Sequence, residues 1–192
     1  REFELVPRGY LLAVGTLEPR KNLGVLFAAY SALPEQLRRR YPLVVAGIPG
    51  WHMAELMKPA RTLLARGELK LLGYVPQAKL PALYAGARAF VYPSRYEGFG
   101  LPPLEAMASG VPVITGNRTS VPEVVGNGGL LVNPDDIDGF RAAIQRLIED
   151  PEYSAEIASR GLERAREFTW ERCADKTVEV YRQVRTQQGL VR

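Results

Sequence analysis

Two carboxylates eight residues apart frame the stretch of this chain with the most chemistry: Glu97 and Glu105 bracket Gly98-Phe99-Gly100-Leu101-Pro102-Pro103-Leu104. The apolar run Ala89-Phe90-Val91-Tyr92 precedes them and Ala106-Met107-Ala108 follows, which predicts a buried strand, a glycine loop and the start of a helix. Gly98 and Gly100 let the backbone approach a ligand closely, and the unpaired amides at a helix start attract negative charge. Pro102 and Pro103 carry no N–H, so the usable donors are the amides of Gly98, Phe99, Gly100 and Leu101. An anion such as a phosphate is therefore expected on the loop side. Glu97 is placed on the loop and Glu105 in the first helical turn, where the helix dipole favours an ionised carboxylate. A second cluster lies in Gly15-Thr16-Leu17-Glu18-Pro19-Arg20-Lys21-Asn22. Its Arg20 and Lys21, taken alone, read as solvated turn cations.

These groups need a frame that brings distant turns to one edge. Short apolar runs alternate with longer helical patterns, the signature of an α/β domain whose parallel sheet is covered by helices on both faces. The pattern predicts strands at 10–14, 43–46, 69–72, 89–92, 113–115 and 129–132, with helices at 23–33, 53–65, 79–85, 102–108 and 121–125 between them. Three further helices, 137–148, 152–168 and 170–184, close the chain, the first after the capping candidates Asp135 and Asp136. Ligands of such sheets bind beyond the carboxyl ends of the strands. Segments 15–22, 47–52, 73–76 and 93–100 each follow one of the first four strands, so the candidates converge on that edge.

Composition sets outer bounds. At 192 residues, 46% hydrophobic and 24% charged, the chain suits one globular domain with a real core. That domain is expected at 10–184, with a tail at 185–192. Residues 1–9 read either as a native proline-containing linker or as the remnant of an engineered protease site. A net charge of +4 suits an anionic small molecule or a lipid surface and is too diffuse to argue for nucleic acid. Cys173 is the single cysteine, which excludes an internal disulfide and a cysteine-based metal cluster. No charged-then-apolar leader opens the sequence, so the expected location is cytoplasmic.

Several features carry a plainer reading. Asp136-Ile137-Asp138 has the spacing of a metal-binding Asp-x-Asp but sits at a helix start, where capping explains it. His52 is the only histidine and has no second ligand nearby in sequence. Cys173 is expected to be packed or inert. Arg38-Arg39-Arg40 reads as a solvated helix end, with contact to anionic lipid as the alternative.

The glutamate motif, followed by Ala-Met-Ala-Ser-Gly-Val-Pro-Val-Ile, resembles the donor-site signature of retaining glycosyltransferases of the GT-B fold, the group often called family 4. The resemblance runs from about Tyr10 to Val184 and includes the Gly15–Asn22 segment, Gly73-Tyr74-Val75, and Asn133-Pro134 after Leu130-Leu131-Val132. It implies a Rossmann-like, three-layer half of a GT-B enzyme that binds a nucleotide sugar with no cofactor and no metal. By resemblance Glu105 reaches ribose hydroxyls, Glu97 reads the sugar, Tyr74 and Val75 offer backbone groups to the base, and Gly15 lines the donor. Arg20, Lys21 and Glu97 are then the catalytic candidates. In most of the family an arginine stands where this chain has Thr16, and Arg20 is expected to take over its role beside Lys21.

The version of the first motif found here is similar to mannosyltransferases of bacterial surface polysaccharides. The resemblance thus implies a hexosyltransferase using GDP-mannose, with a glycan or lipid-linked acceptor. The expected partners are an N-terminal acceptor domain and the inner face of a membrane, touched peripherally. Two other classes stay open: a sugar-nucleotide-binding module without activity, and a sugar-nucleotide epimerase of related architecture.

Overall fold

The computed structural model describes residues 3–50 and 57–187. Six short strands form one parallel sheet: β1 (Leu11–Val14), β2 (Leu43–Ala46), β3 (Leu69–Gly73), β4 (Ala89–Tyr92), β5 (Val113–Gly116) and β6 (Leu130–Val132). The strand order is β3-β2-β1-β4-β5-β6. β1, β2, β4 and β5 are apolar and almost wholly buried, as strands covered on both faces must be. One core layer holds Leu11, Phe27, Tyr30, Val45, Phe140 and Ile144. The layer on the other face holds Leu12, Val44, Tyr84, Phe90, Met107 and Val125. Alternate residues of one strand thus feed opposite layers.

Helices α1 (Leu23–Ser31), α2 (Glu35–Arg40), α3 (Ala60–Ala65), α4 (Leu80–Ala85), α5 (Leu101–Ala108) and α6 (Val121–Val125) lie between strands, and α7 (Ile137–Glu149), α8 (Pro151–Ala165) and α9 (Trp170–Gln187) follow β6. Asp136 caps α7 by accepting from the Gly139 amide at 2.8 Å, the capping role expected of it. Asp150 does the same for α8 through Tyr153 at 2.9 Å, with Pro151 opening the helix.

The structure corrects several boundaries. The helix expected at 23–33 ends at Ser31, and a separate α2 begins after Pro34. Its Arg38 is buried instead of solvated: it donates to Glu68 at 2.9 Å and to the carbonyls of Ser31 and Leu33. Of the helix expected at 53–65, 51–56 lie outside the described residues, and α3 begins only after Pro59. α8 gives way to a turn three residues before the expected end at Phe168. Cys173 is exposed on α9, not packed. α9 also carries Trp170, Tyr181 and Val184 into solvent. No helix among the described residues is long and apolar enough to cross a membrane.

Candidate functional site

β1 and β4 are neighbours, yet β1 connects to β2 on one side and β4 to β5 on the other. The loops leaving these two strands therefore diverge and open a crevice at the carboxyl edge, the place where α/β sheets take ligands. Gly15, Lys21, Tyr92 and Pro93 line a small cavity at its base. Gly15 has φ +147, and a Cβ there would meet the Lys21 side chain at 3.3 Å. The strand thus hands over to a loop that folds Lys21 back across it. A 3-10 turn at Pro19–Lys21 and a left-handed Asn22 (φ 56) complete the loop. The Asn22 side chain donates to Pro93 O at 3.1 Å and Pro134 O at 2.6 Å, stitching the loops after β1, β4 and β6 together.

Glu97 is the hub of the crevice. Its Oε1 accepts from Lys21 Nζ at 2.7 Å, Tyr92 OH at 2.7 Å and Ser94 Oγ at 2.6 Å, and its Oε2 from Arg20 Nη1 at 3.0 Å. Lys21 Nζ also donates to Tyr92 OH at 2.6 Å, so the phenol accepts from the lysine and gives its own proton to the carboxylate. The Lys21 and Glu97 side chains are each 10% exposed, whereas Arg20 is 44% exposed. Burial pushes the Glu97 carboxyl up, but hydrogen bonds from Lys21, Ser94 and Tyr92 outweigh it and hold the group below the usual glutamate range. Burial, reinforced by the bond to Glu97, raises the Tyr92 phenol far above its ordinary value. Glu18 Oε1 lies 2.6 Å from Arg20 Nη2, yet forms an ion pair without an aligned hydrogen bond. Two carboxylates thus face two cations.

Arg20, Lys21 and Glu97 are therefore brought together, although 76 positions separate Lys21 from Glu97. None of the hydrogen bonds among the described residues engages the amides of Gly98, Phe99 or Gly100. Gly100 has φ +113 and precedes α5, a backbone that favours glycine. Leu101 opens the helix and is exposed, as is Phe99. Glu105 differs from its expected place: it is the fifth residue of α5, in the second turn, and its carboxylate accepts from Tyr84 OH at 2.9 Å. The two glutamates belong to separate hydrogen-bond systems. Tyr74 and Val75 follow β3, two strands from β1, with Tyr74 73% exposed and Val75 buried.

Sequence reasoning missed Tyr92, Ser94, Asn22 and Tyr84. Tyr92 and Ser94 stand five and three residues before Glu97, and the end of a strand before a glycine loop was the signal that pointed to them. Nothing local pointed to Asn22 or Tyr84, whose partners lie 71 and 21 or more positions away. His52 lies outside the described residues. Among the described residues no three His, Cys, Asp or Glu side chains are grouped to hold a metal ion. Lys21 carries three protons and uses two on Glu97 and Tyr92. The third, the exposed Arg20 guanidinium and the loop amides can hold an anion beside a carboxylate able to accept from a hydroxyl.

The chain resembles known proteins in sequence and in fold. Residues 4–164 match the family described as glycosyl transferases group 1. O-antigen chain mannosyltransferase B of Escherichia coli is 46% identical over 182 residues, covering 95% of this chain and 48% of that protein. The serotype-specific mannosyltransferase WbdA of Escherichia coli is 35% identical over 176 residues, 91% of this chain and 22% of that protein. Sucrose-phosphate synthase from Thermosynechococcus elongatus superimposes with a TM-score of 0.80 at 28% identity, over 97% of this chain and 48% of that one. The chain spans about half the length of the first relative and about a fifth of the second.

Proposed function

This chain belongs to the glycosyl transferases of group 1, and from that premise we propose that it is the donor-binding half of a retaining hexosyltransferase. The observation that carries the reading is the Arg20–Lys21–Glu97 cluster at the β1/β4 crevice, beside the unengaged amides of Gly98, Phe99 and Gly100. Breaking the bond between the anomeric carbon and the diphosphate places charge on the leaving phosphate oxygens. Lys21, Arg20 and the amides are positioned to stabilise that charge more in the transition state than in the ground state. Glu97 accepts from a sugar hydroxyl and Glu105 from the ribose. The diphosphate is held by cations and amides, with no metal required. A further half, outside this chain, supplies the acceptor site.

The mannosyltransferase names of the relatives support GDP-mannose as donor and a surface polysaccharide as product. Calorimetric titration of the chain with GDP, UDP and ADP in the presence of a chelator tests the reading. GDP is expected to bind most tightly, and binding lost with the chelator would remove the metal-free geometry. Mannosyl transfer by a longer protein, absent when acceptor is withheld, distinguishes a transferase from a binding module or an epimerase.

A further inference from the structure

Ser120 stands where a helix N-cap serine would, just before α6, but its hydroxyl makes no cap bond. A serine in that place ordinarily accepts from an amide of the first helical turn. Here the hydroxyl is turned to the neighbouring loop: Oγ lies 2.8 Å from the carbonyl oxygen of Glu97 and 3.0 Å from that of Phe99, with its single proton shared between them. The preceding residue is equally unusual. Thr119 has φ +58, an unfavourable backbone for a β-branched side chain that persists only where its surroundings hold it. Its Oγ1 accepts from the Glu97 amide at 3.1 Å.

These contacts fix peptide planes. No peptide bond among the described residues is cis, and in a planar trans peptide the C=O and the following N–H point in opposite directions. Holding the Glu97 carbonyl toward the loop after β5 therefore turns the Gly98 N–H away from that loop. Holding the Phe99 carbonyl does the same to the Gly100 N–H. The plane before them is pinned in the opposite sense, with the Glu97 N–H on Thr119 and the Tyr96 carbonyl accepting from Arg20 Nη1 at 3.3 Å. The side facing away from the β5 loop is thus the side of Arg20 and Lys21.

We infer that Ser120 is a positioning residue that aims the amides of Gly98 and Gly100 at the donor diphosphate, with Thr119 fixing the plane before them. The inference rests on the donor-site reading above. One hydroxyl sets two donors at once, and the anion then meets preorganised N–H groups instead of a loop that must rotate to receive it.

The test compares the 192-residue chain with Ser120→Ala and Ser120→Thr, each checked for folding by circular dichroism, using GDP, UDP and their nucleosides as probes. Ser120→Ala is expected to lose about tenfold or more in affinity for the diphosphate that the unaltered chain binds. The matching nucleoside should bind as before, and Ser120→Thr should recover the loss. Equal diphosphate affinity in a folded Ser120→Ala chain, or equal losses for diphosphate and nucleoside, overturns the inference. Crystal structures without nucleotide decide it independently of the donor: rotation of peptides 97–98 and 99–100 in Ser120→Ala supports it, and unchanged planes overturn it. A chain with no affinity for either diphosphate instead overturns the proposed function.

Discussion

Two buried ion pairs sit at opposite edges of the same sheet, and only one of them lies beside an exposed second cation and unengaged loop amides. At the amino edge Arg38 pairs with Glu68 through Nε and donates from Nη1 to the carbonyls of Ser31 and Leu33, which closes the end of α1. At the carboxyl edge Lys21 and Arg20 share Glu97, but Arg20 is half exposed and the loop amides beside it are unengaged. Both pairs are charged, and Arg38–Glu68 and Lys21–Glu97 are similarly shielded. Burial of a salt bridge is therefore no mark of function by itself. What separates them is the exposed second cation, the unengaged amides beside it, and their place at the divergence of β1 and β4.

The largest effect expected from breaking this contrast is structural. Arg38→Ala leaves the Glu68 carboxylate buried without its partner and should cost about 3–5 kcal/mol of stability, read by urea denaturation, with nucleotide affinity of the folded fraction unchanged. A nucleotide-specific loss would mean that the two edges are coupled. Next comes Glu97→Gln, which keeps the shape and removes the charge. Transfer by a longer protein should fall about a hundredfold or more, while GDP binds the chain more tightly because Lys21 and Arg20 no longer share a carboxylate. Weaker GDP binding would show that Glu97 orients the cations more than it competes for them.

Lys21→Ala should weaken GDP by about ten- to hundredfold, the worth of one charge-assisted hydrogen bond at about 1.5–3 kcal/mol. Calorimetry showing unchanged affinity removes Lys21 from the site. The smallest effect is in acid. Glu97 is held below its ordinary value of 4.5, so its contribution to stability is complete above that value and is lost as pH falls through its lower folded value. Denaturation midpoints should show an acid-side loss in the unaltered chain that Glu97→Gln lacks. Identical acid profiles would place the titration elsewhere.

Legibility followed locality. All six strands lie where short apolar runs between turn residues put them, each within one or two residues, because burial on both faces writes itself directly into composition. α2 was missed because Glu-Gln-Leu-Arg-Arg-Arg offers a single apolar residue. Three adjacent arginines look alike in sequence, and only packing against Glu68 makes Arg38 different from the exposed Arg39. The charged residues of the crevice could be named from their spacing and from the resemblance of their motifs. Tyr92 and Ser94, as partners of Glu97, had only their nearness to it in sequence as a signal, and Asn22, a stitch between three loops, had none, since a hydrogen bond leaves no periodicity.

By itself the sequence determined the alternation of strands and helices, the glycine and proline loop after β4, and a pair of cations after β1. These are short-range properties, set by apolar spacing, backbone freedom and charge. Strand order was decided only by tertiary structure. Leu11 lies opposite both Leu43 and Ala89, so β1 is flanked by the strand that follows it and by one that comes two strands later in the chain. That pairing carries Lys21 to Glu97. Parallel strands are joined by long crossovers, and which of them become neighbours depends on how the two helical layers cover the whole sheet, a condition that no local window of residues contains.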